Sequence, residues 1–472
     1  MSHPFRIERR GIDLVPLAER HTRPRSLIWL WVGTTATVFT FAYGALLVAI
    51  GLSFPQALFA IVLGNLIGFT LTGLTSLQGP VVGTSTQTIS RAAFGPNGGR
   101  LLAFFSWLTL VGFEAGGLIL IVFAALALLG QLGVPDNAFV STVVILVAAA
   151  IQLVLPLFGY GLIMRAQRYF SYLAIAMFTV MAIVVVPQVD LGAAAEPAPV
   201  PLVTAAIALV IAAGGLSWAV MGSDYSRYLS PRASPRATFL CSAAGGCAAY
   251  TLLMTLGAAV ASITVDASDP ISGLPDVLPA WFVVPYLLLA IVTLLAVNTS
   301  DLYSSGLNLQ TMGVRIRRSI TVIVDLVICV AIAFWAVFAE SFYELLENFL
   351  AILVIWLAPW AAFYLVDWLL RRGRYHAESL FPSETGSTGI YWRSGGVHVP
   401  AIVALLLGMA AATAWINSVL VVGPLSAATG GSDLSVFAGM LVGGGVYWLL
   451  ARKRVRTEAE AVAEPQVREA QR

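Results

Sequence analysis

Charge is scarce in this chain. Asp, Glu, Lys and Arg make up 11% of its 472 residues, against 59% hydrophobic, whereas soluble chains carry about 25% charged residues. A soluble fold is excluded, and the length bounds a number of membrane spans rather than a number of globular domains. Lysine is scarcer still. Lys453, near the C-terminal end, is the only one, so no phosphate loop ending in Gly-Lys-Ser/Thr can exist and ATP-driven transport by this chain alone is not expected. Cys241, Cys247 and Cys329 all lie in apolar segments, which implies no disulfide framework. His3, His21, His376 and His398 fall in termini or a loop without paired-ligand spacing, so no metal site is expected. Residues 1–26 have no apolar core, so they are not a signal peptide.

What the chain has in quantity is apolar runs long enough to cross a bilayer, which takes about 20 residues. They fall at 27–50, 55–77, 101–130, 138–158, 169–188, 202–222, 237–262, 281–297, 319–339, 348–369, 399–421 and 435–451. Placing the N-terminus inside puts all 26 Lys and Arg in the N-terminal segment, alternate loops or the tail. The other loops hold acids, among them Asp136, Asp190, Asp266 and Asp433. Cytoplasmic enrichment of Arg and Lys sets orientation during insertion, and a wrong span count would break the alternation. Twelve spans with both ends cytoplasmic are therefore expected. The implied division is a cytoplasmic segment 1–26, spans one to five in 27–200, spans six to ten in 201–370, a cytoplasmic loop 371–398, spans eleven and twelve in 399–451, and a tail 452–472. Residues 78–99 are too polar to span and predict a loop with a short cytoplasmic helix ending near Phe94-Gly95; 371–398 predict an irregular loop, and 457–472 a charged, solvated tail.

Two spans are interrupted. The sixth, within 201–231, carries Gly214-Gly215, then Trp218, then the polar run Ser223 to Tyr228. Adjacent glycines weaken a helix by about 1 kcal/mol each, which lipid tolerates where the freed backbone faces protein or a watery cavity. Either a binding site inside the membrane or a tight helix crossing follows, since small residues also let helices approach. The first span is broken by Thr34, Thr35, Thr37 and Thr40 between Gly33 and Gly44. Interrupted spans five apart that enter from opposite sides mark an inverted five-plus-five repeat.

Ionisable groups at depth are few: Glu114 in span three and Asp325 in span nine, with Asp224, Asp301 and Asp367 near inner ends. Each costs at least about 2.5 kcal/mol in lipid. Glu114 is either a proton carrier or a carboxyl hydrogen-bonded between helices. Asp224 beside Arg227 is an internal ion pair or a helix cap. Trp218, Phe113 and Asn298 sit near mid-membrane. Two aromatics from different helices can sandwich a flat heterocycle, and an asparagine amide can read one edge of a nucleobase.

The segments IERRGIDLVPLAER at 7–20, SRAAFG at 90–95, VGFEA at 111–115, SWAVMGSDYSRYLS at 217–230 and NTSDLYSSG at 298–306 resemble the nucleobase–cation symporter-1 family, in its purine–cytosine permease branch. The resemblance implies an all-α, leucine-transporter-like membrane fold of ten core spans and two extra ones. It implies secondary active import of a nucleobase, cytosine or a purine, with H⁺ or Na⁺ by alternating access at the plasma membrane. By position, Trp218 and Phe113 become the stacking residues and Asn298 the polar contact of span eight; Gly117 stands where relatives often carry an amide. The broken backbone at Gly214 and Gly215 completes the substrate set. Glu114, Thr293, Thr35 and Thr37 are the candidates for coupling the cation. The pair aligned with the hydroxyls that hold Na⁺ in the related hydantoin transporter is Val292-Thr293, and the lost hydroxyl favours H⁺. The alternative is a Na⁺-coupled carrier of hydantoin, allantoin or another ureide. A passive channel and an intramembrane enzyme are weaker readings, the latter for want of paired carboxylates or a histidine cluster. The expected partners are a small heterocycle and the bilayer, with no nucleic acid and no cofactor besides the co-transported ion.

Overall fold

A computed structural model describes residues 8, 10–189, 196–339, 342–381, 389–418 and 420–470. Among them, regular structure is helical apart from two isolated bridges. Eleven helices are long and apolar enough to cross a membrane, and the bent pair Arg25–Thr35 and Val38–Ala49 makes a twelfth span. The second to fifth spans are Phe54–Thr75, Gly98–Gln131, Ala138–Phe158 and Tyr160–Val185. The sixth begins at Val200–Ile211; the seventh to tenth are Pro235–Ala261, Ala280–Thr311, Arg318–Ala339 and Phe342–Arg371. Val399–Trp415 and Ser435–Ala470 are the eleventh and twelfth.

The first span breaks where its threonines cluster. Its halves meet at 62°. Thr37 is extended (φ −129°, ψ 166°) and caps the second half by accepting from the Thr40 N–H, while the Thr40 hydroxyl donates to Thr35 O at 2.6 Å. The hydroxyls replace backbone partners lost at the break, as apolar surroundings require. The sixth span is kinked at a bulge. After Ile211 it makes a π-turn, Ala212–Leu216, with Gly214 outside the helical region (φ −94°, ψ −127°). Neighbours satisfy the freed carbonyls: Thr72 donates to Gly215 O at 2.6 Å, Thr75 to Ala219 O at 2.9 Å and Tyr250 to Ala213 O at 3.1 Å.

Gly215 packs its backbone on the second span, and a Cβ there would lie 2.0 Å from the Gly68 carbonyl carbon. Neither backbone can yield, so Gly215→Ala is expected to cost about 1–3 kcal/mol or more. A lower thermal midpoint and reduced monodisperse yield in detergent would register it; an unchanged midpoint would mean that the spans separate freely.

Several boundaries move. The fourth and fifth spans are joined by Gly159 alone, whose φ of 80° ends the fourth helix. Arg165 and Arg168 thus lie in a helix, not in a loop. The eighth span continues through Asn298–Gly306, where hydroxyls bond back to their own helix, as Thr299 does to Leu295 O at 2.7 Å, or across to other spans, as Ser300 does with Thr34 at 2.9 Å. The twelfth helix continues to Ala470, and Glu458, expected in a solvated tail, is buried against Arg371 at 3.0 Å. Residues 78–99 form three short helices, the last ending at Phe94 before Gly95. Arg91 from this segment is buried and donates to Thr311 O at 2.6 Å and Leu380 O at 3.1 Å; burial, with Arg100 near it, pushes its guanidinium down to about 10.

The polar N-terminal segment docks on the arginine-rich face. Val15 N–H donates to Gly83 O at 2.8 Å, and Arg227 to Gly11 O at 2.8 Å. Glu8 accepts from the Tyr228 hydroxyl at 2.6 Å and the Tyr160 N–H at 2.8 Å, and pairs with Arg318 at 3.4 Å. Asp224 is a cap, but of another helix: it accepts from Thr86 N–H at 2.8 Å and Thr86 hydroxyl at 3.0 Å.

Candidate ligand-binding site

A cavity lies where the break of the first span meets the bulge of the sixth. Thr37, Phe39 and Tyr43 line it from the first span, and Ala213, Ser217 and Trp218 from the sixth. Leu110 and Phe113 of the third, Tyr250 of the seventh, and Val297 and Asp301 of the eighth complete it. The volume open to water is about 20 Å³, enough for about one or two waters. A ring enters only if the walls part.

Trp218 is 8% exposed. Its indole N–H donates to the Tyr250 hydroxyl at 3.1 Å, and that hydroxyl donates to Ala213 O, so the broken backbone itself orients the ring. Trp31 meets it edge-on, centroids 6.1 Å apart. Phe113 is half-buried and held edge-on by Phe349 at 5.2 Å. A flat apolar wall with a few polar groups is the usual make-up of a small-molecule site.

Of the expected substrate residues, Trp218 and Phe113 line one cavity. Asn298 does not line it: its amide donates to Glu114 O at 3.0 Å and Gln152 Oε1 at 3.1 Å, between the third, fourth and eighth spans. Gly117 lies beneath that amide, since a Cβ would stand 2.1 Å from Asn298 Oδ1. Gly214 forms the bulge next to Ala213, and Gly215 faces the second span.

The cation candidates also separate. Thr37 lines the cavity, whereas the Thr35 hydroxyl bonds Trp31 O at 2.5 Å. Thr293 donates back to Leu289 O at 2.9 Å. Glu114 is fully buried, accepts from Cys329 at 3.3 Å and leaves Oε1 unpartnered among the described residues. Nearby, Asp325 is held by Trp107 at 2.7 Å and Ser305 at 2.9 Å. No group of three or more His, Cys, Asp or Glu suited to a metal occurs among the described residues.

Two residues hold places that the sequence did not indicate. Asp301 was placed near the inner end, because the apolar run stops at residue 297. It instead lines the cavity at 1% exposure, with Oδ2 unpartnered among the described residues. Its spacing of four from Val297 puts both on one helix face, and that was the available signal. Gln167 of the fifth span is fully buried and donates to Ala296 O at 2.7 Å and Ser300 Oγ at 3.1 Å, beside the break, while Thr34 and Ser300 share a hydrogen bond of 2.9 Å. Nothing in its local sequence, among Arg165 and Arg168, marked it.

Residues 14–439 match the sequence profile of a family described as permeases for cytosine/purines, uracil, thiamine and allantoin. The chain is 28% identical over 466 residues to a putative purine-cytosine permease, YxlA, of Bacillus subtilis, covering 96% of this chain and 98% of that one. It is 25% identical over 454 residues to the purine-cytosine permease fcyB of Emericella nidulans, covering 91% and 85%. Its fold is similar to that of MHP1, a nucleobase-cation-symport-1 family transporter, in a closed conformation with bromovinylhydantoin bound, at a TM-score of 0.72 and 20% identity, covering 96% and 99%. The inward-facing conformation of Mhp1 matches at a TM-score of 0.65 and 19% identity, covering 97% and 99%.

Proposed function

Because this chain belongs to the family of permeases for cytosine/purines, uracil, thiamine and allantoin, we propose that it imports cytosine or a purine with H⁺ across the plasma membrane by alternating access, as a nucleobase–cation symporter. The observation that carries the substrate class is the Trp218 indole, oriented by Tyr250 in a cavity that Phe113 also lines. Stacking on an aromatic is worth about 1–3 kcal/mol per base, and it needs a flat ring. Assigning all 26 Lys and Arg to one side by the span alternation makes the termini, and with them the docked N-terminal arm, cytoplasmic.

Proton coupling is supported by how the oxygens near the break are used. The Thr293 hydroxyl donates to its own helix at Leu289 O, and Ala296 O and Ser300 Oγ receive the Gln167 amide. A cation there would have to share those two oxygens with that amide. The second reading, a Na⁺-coupled carrier of a hydantoin, allantoin or another ureide, is favoured by the fold shared with the bromovinylhydantoin-bound protein.

Cells lacking nucleobase carriers and expressing this chain are expected to accumulate radiolabelled cytosine. Replacing Na⁺ by choline at fixed pH should leave the rate unchanged, and a protonophore should abolish accumulation. Loss of cytosine uptake in choline selects Na⁺ coupling, and uptake of allantoin or hydantoin in place of cytosine selects the ureide reading; no uptake of any nucleobase, allantoin, hydantoin or thiamine-like compound defeats both.

A further inference from the structure

We propose that Asp301 is where the transported ring and the co-transported proton meet, the carboxyl reading an unsubstituted amide or amidine edge of the ring. This assignment rests on the chain being a proton-coupled nucleobase carrier.

The other buried carboxyls of the spans and their ends have side-chain partners. Asp224 takes two bonds from Thr86, Asp325 is held by Trp107 and Ser305, and Asp367 by Arg371 and Tyr447. Glu114, whose Oε1 is also unpartnered among the described residues, takes one bond from Cys329 and does not line the cavity. Asp301 lines the cavity at 1% exposure, and its Oδ2 has no partner among the described residues. The titratable groups that line the cavity with it are Tyr43 of the first span and Tyr250 of the seventh; Glu114 of the third, Tyr225 of the sixth and Cys329 of the ninth lie within electrostatic range. None of these is basic, and no Arg or Lys lines the cavity.

A bare carboxylate at this depth costs at least about 2.5 kcal/mol. A proton removes the charge. The neutral carboxyl then offers one donor and one acceptor side by side. That pair complements an edge with an acceptor next to an N–H, such as ring N3 and the 4-amino group of cytosine, or N1 and the 6-amino group of adenine. Two hydrogen bonds close a cycle, and the ring shields them from water. Proton and ring therefore stabilise each other on the protein, as linkage requires. When the ring leaves on the other side, the carboxyl gives its proton to water there. One proton crosses per ring.

The test uses the full chain in liposomes. With an imposed gradient of about two pH units, one proton per ring allows up to about a hundredfold accumulation of radiolabelled cytosine. Asp301→Asn keeps the size and both hydrogen-bonding functions but cannot release a proton. It is expected to exchange labelled for unlabelled cytosine while gradient-driven accumulation falls from about a hundredfold to about onefold. Asp301→Glu should restore accumulation with a displaced pH profile. A second measurement needs no variant: dicyclohexylcarbodiimide, which modifies protonated carboxyls in apolar sites, should label Asp301 of the wild type, and cytosine should block it. Full accumulation by Asp301→Asn overturns the assignment, as does carbodiimide label on Glu114 with Asp301 untouched. A wild type that neither accumulates nor exchanges any nucleobase removes the underlying transport reading, and this assignment with it.

Discussion

Trp218→Ala is expected to weaken cytosine binding by about five- to 150-fold, the equivalent of the 1–3 kcal/mol that one stacked aromatic supplies. The fold should survive. Trp218 borders open volume, and Tyr250 keeps its bond to Ala213 O once the indole is gone; the loss falls on the edge contact with Trp31 and lowers the thermal midpoint without undoing the fold. Trp218→Phe separates two contributions: it retains a stacking face and loses the N–H that Tyr250 holds at 3.1 Å. Its affinity should fall between the other two. Scintillation proximity binding on purified protein gives the affinities, and thermal midpoints show whether the fold was spared. Wild-type affinity in Trp218→Ala would move the indole to a packing role and leave the cavity without its recognition surface.

Glu8→Ala should release the N-terminal arm. Arg318 is fully buried, lies over the Tyr303 ring at 4.6 Å and has Glu8 as its ion-pair partner at 3.4 Å. Removing one member of a buried pair costs about 3–5 kcal/mol because the other charge is stranded. Glu8 is itself partly exposed, so the lower end applies. The same change removes the acceptor of Tyr228 and of the Tyr160 N–H. Amide hydrogen exchange over residues 11–20 should accelerate by about two orders of magnitude, the factor that corresponds to about 3 kcal/mol. Glu8→Gln keeps the acceptor and loses the charge, so its exchange should rise less. Unaltered exchange in Glu8→Ala would mean that the backbone bonds of Gly11 and Val15 hold the arm without it.

The spans were legible because each is a long apolar run, and the first break because four threonines and two glycines crowd one helix. Trp218 and Phe113 could be paired because both are large aromatics at mid-span. What could not be read depended on partners distant in sequence. The N-terminal arm looks like any polar leader until Glu8 meets Tyr228 and Val15 meets Gly83. Asp301 was hidden by its neighbours: a run of Asn, Thr and Ser resembles a span leaving the membrane, but their bonds to their own helix and to neighbouring spans satisfy them inside it. Glu458 looked solvated because its partner, Arg371, lies two spans earlier. Asn298 was read as facing the ligand because its side chain suits a base edge, whereas Gly117 leaves room for it between helices.

The backbone contact of Gly215 with Gly68 has a consequence for pharmacology. Through such contacts the sixth and second spans, with the first and seventh, form one packed block, while the third and eighth pack along each other as another. Trp218 belongs to the first block and Phe113 and Asp301 to the second, so the gap between them is set by how closely the two blocks approach. On the proposed transport reading, cargo and inhibitor would differ in thickness rather than in outline. A planar ring would let the blocks meet and be carried; the same ring bearing an out-of-plane substituent would prop them apart and stay bound.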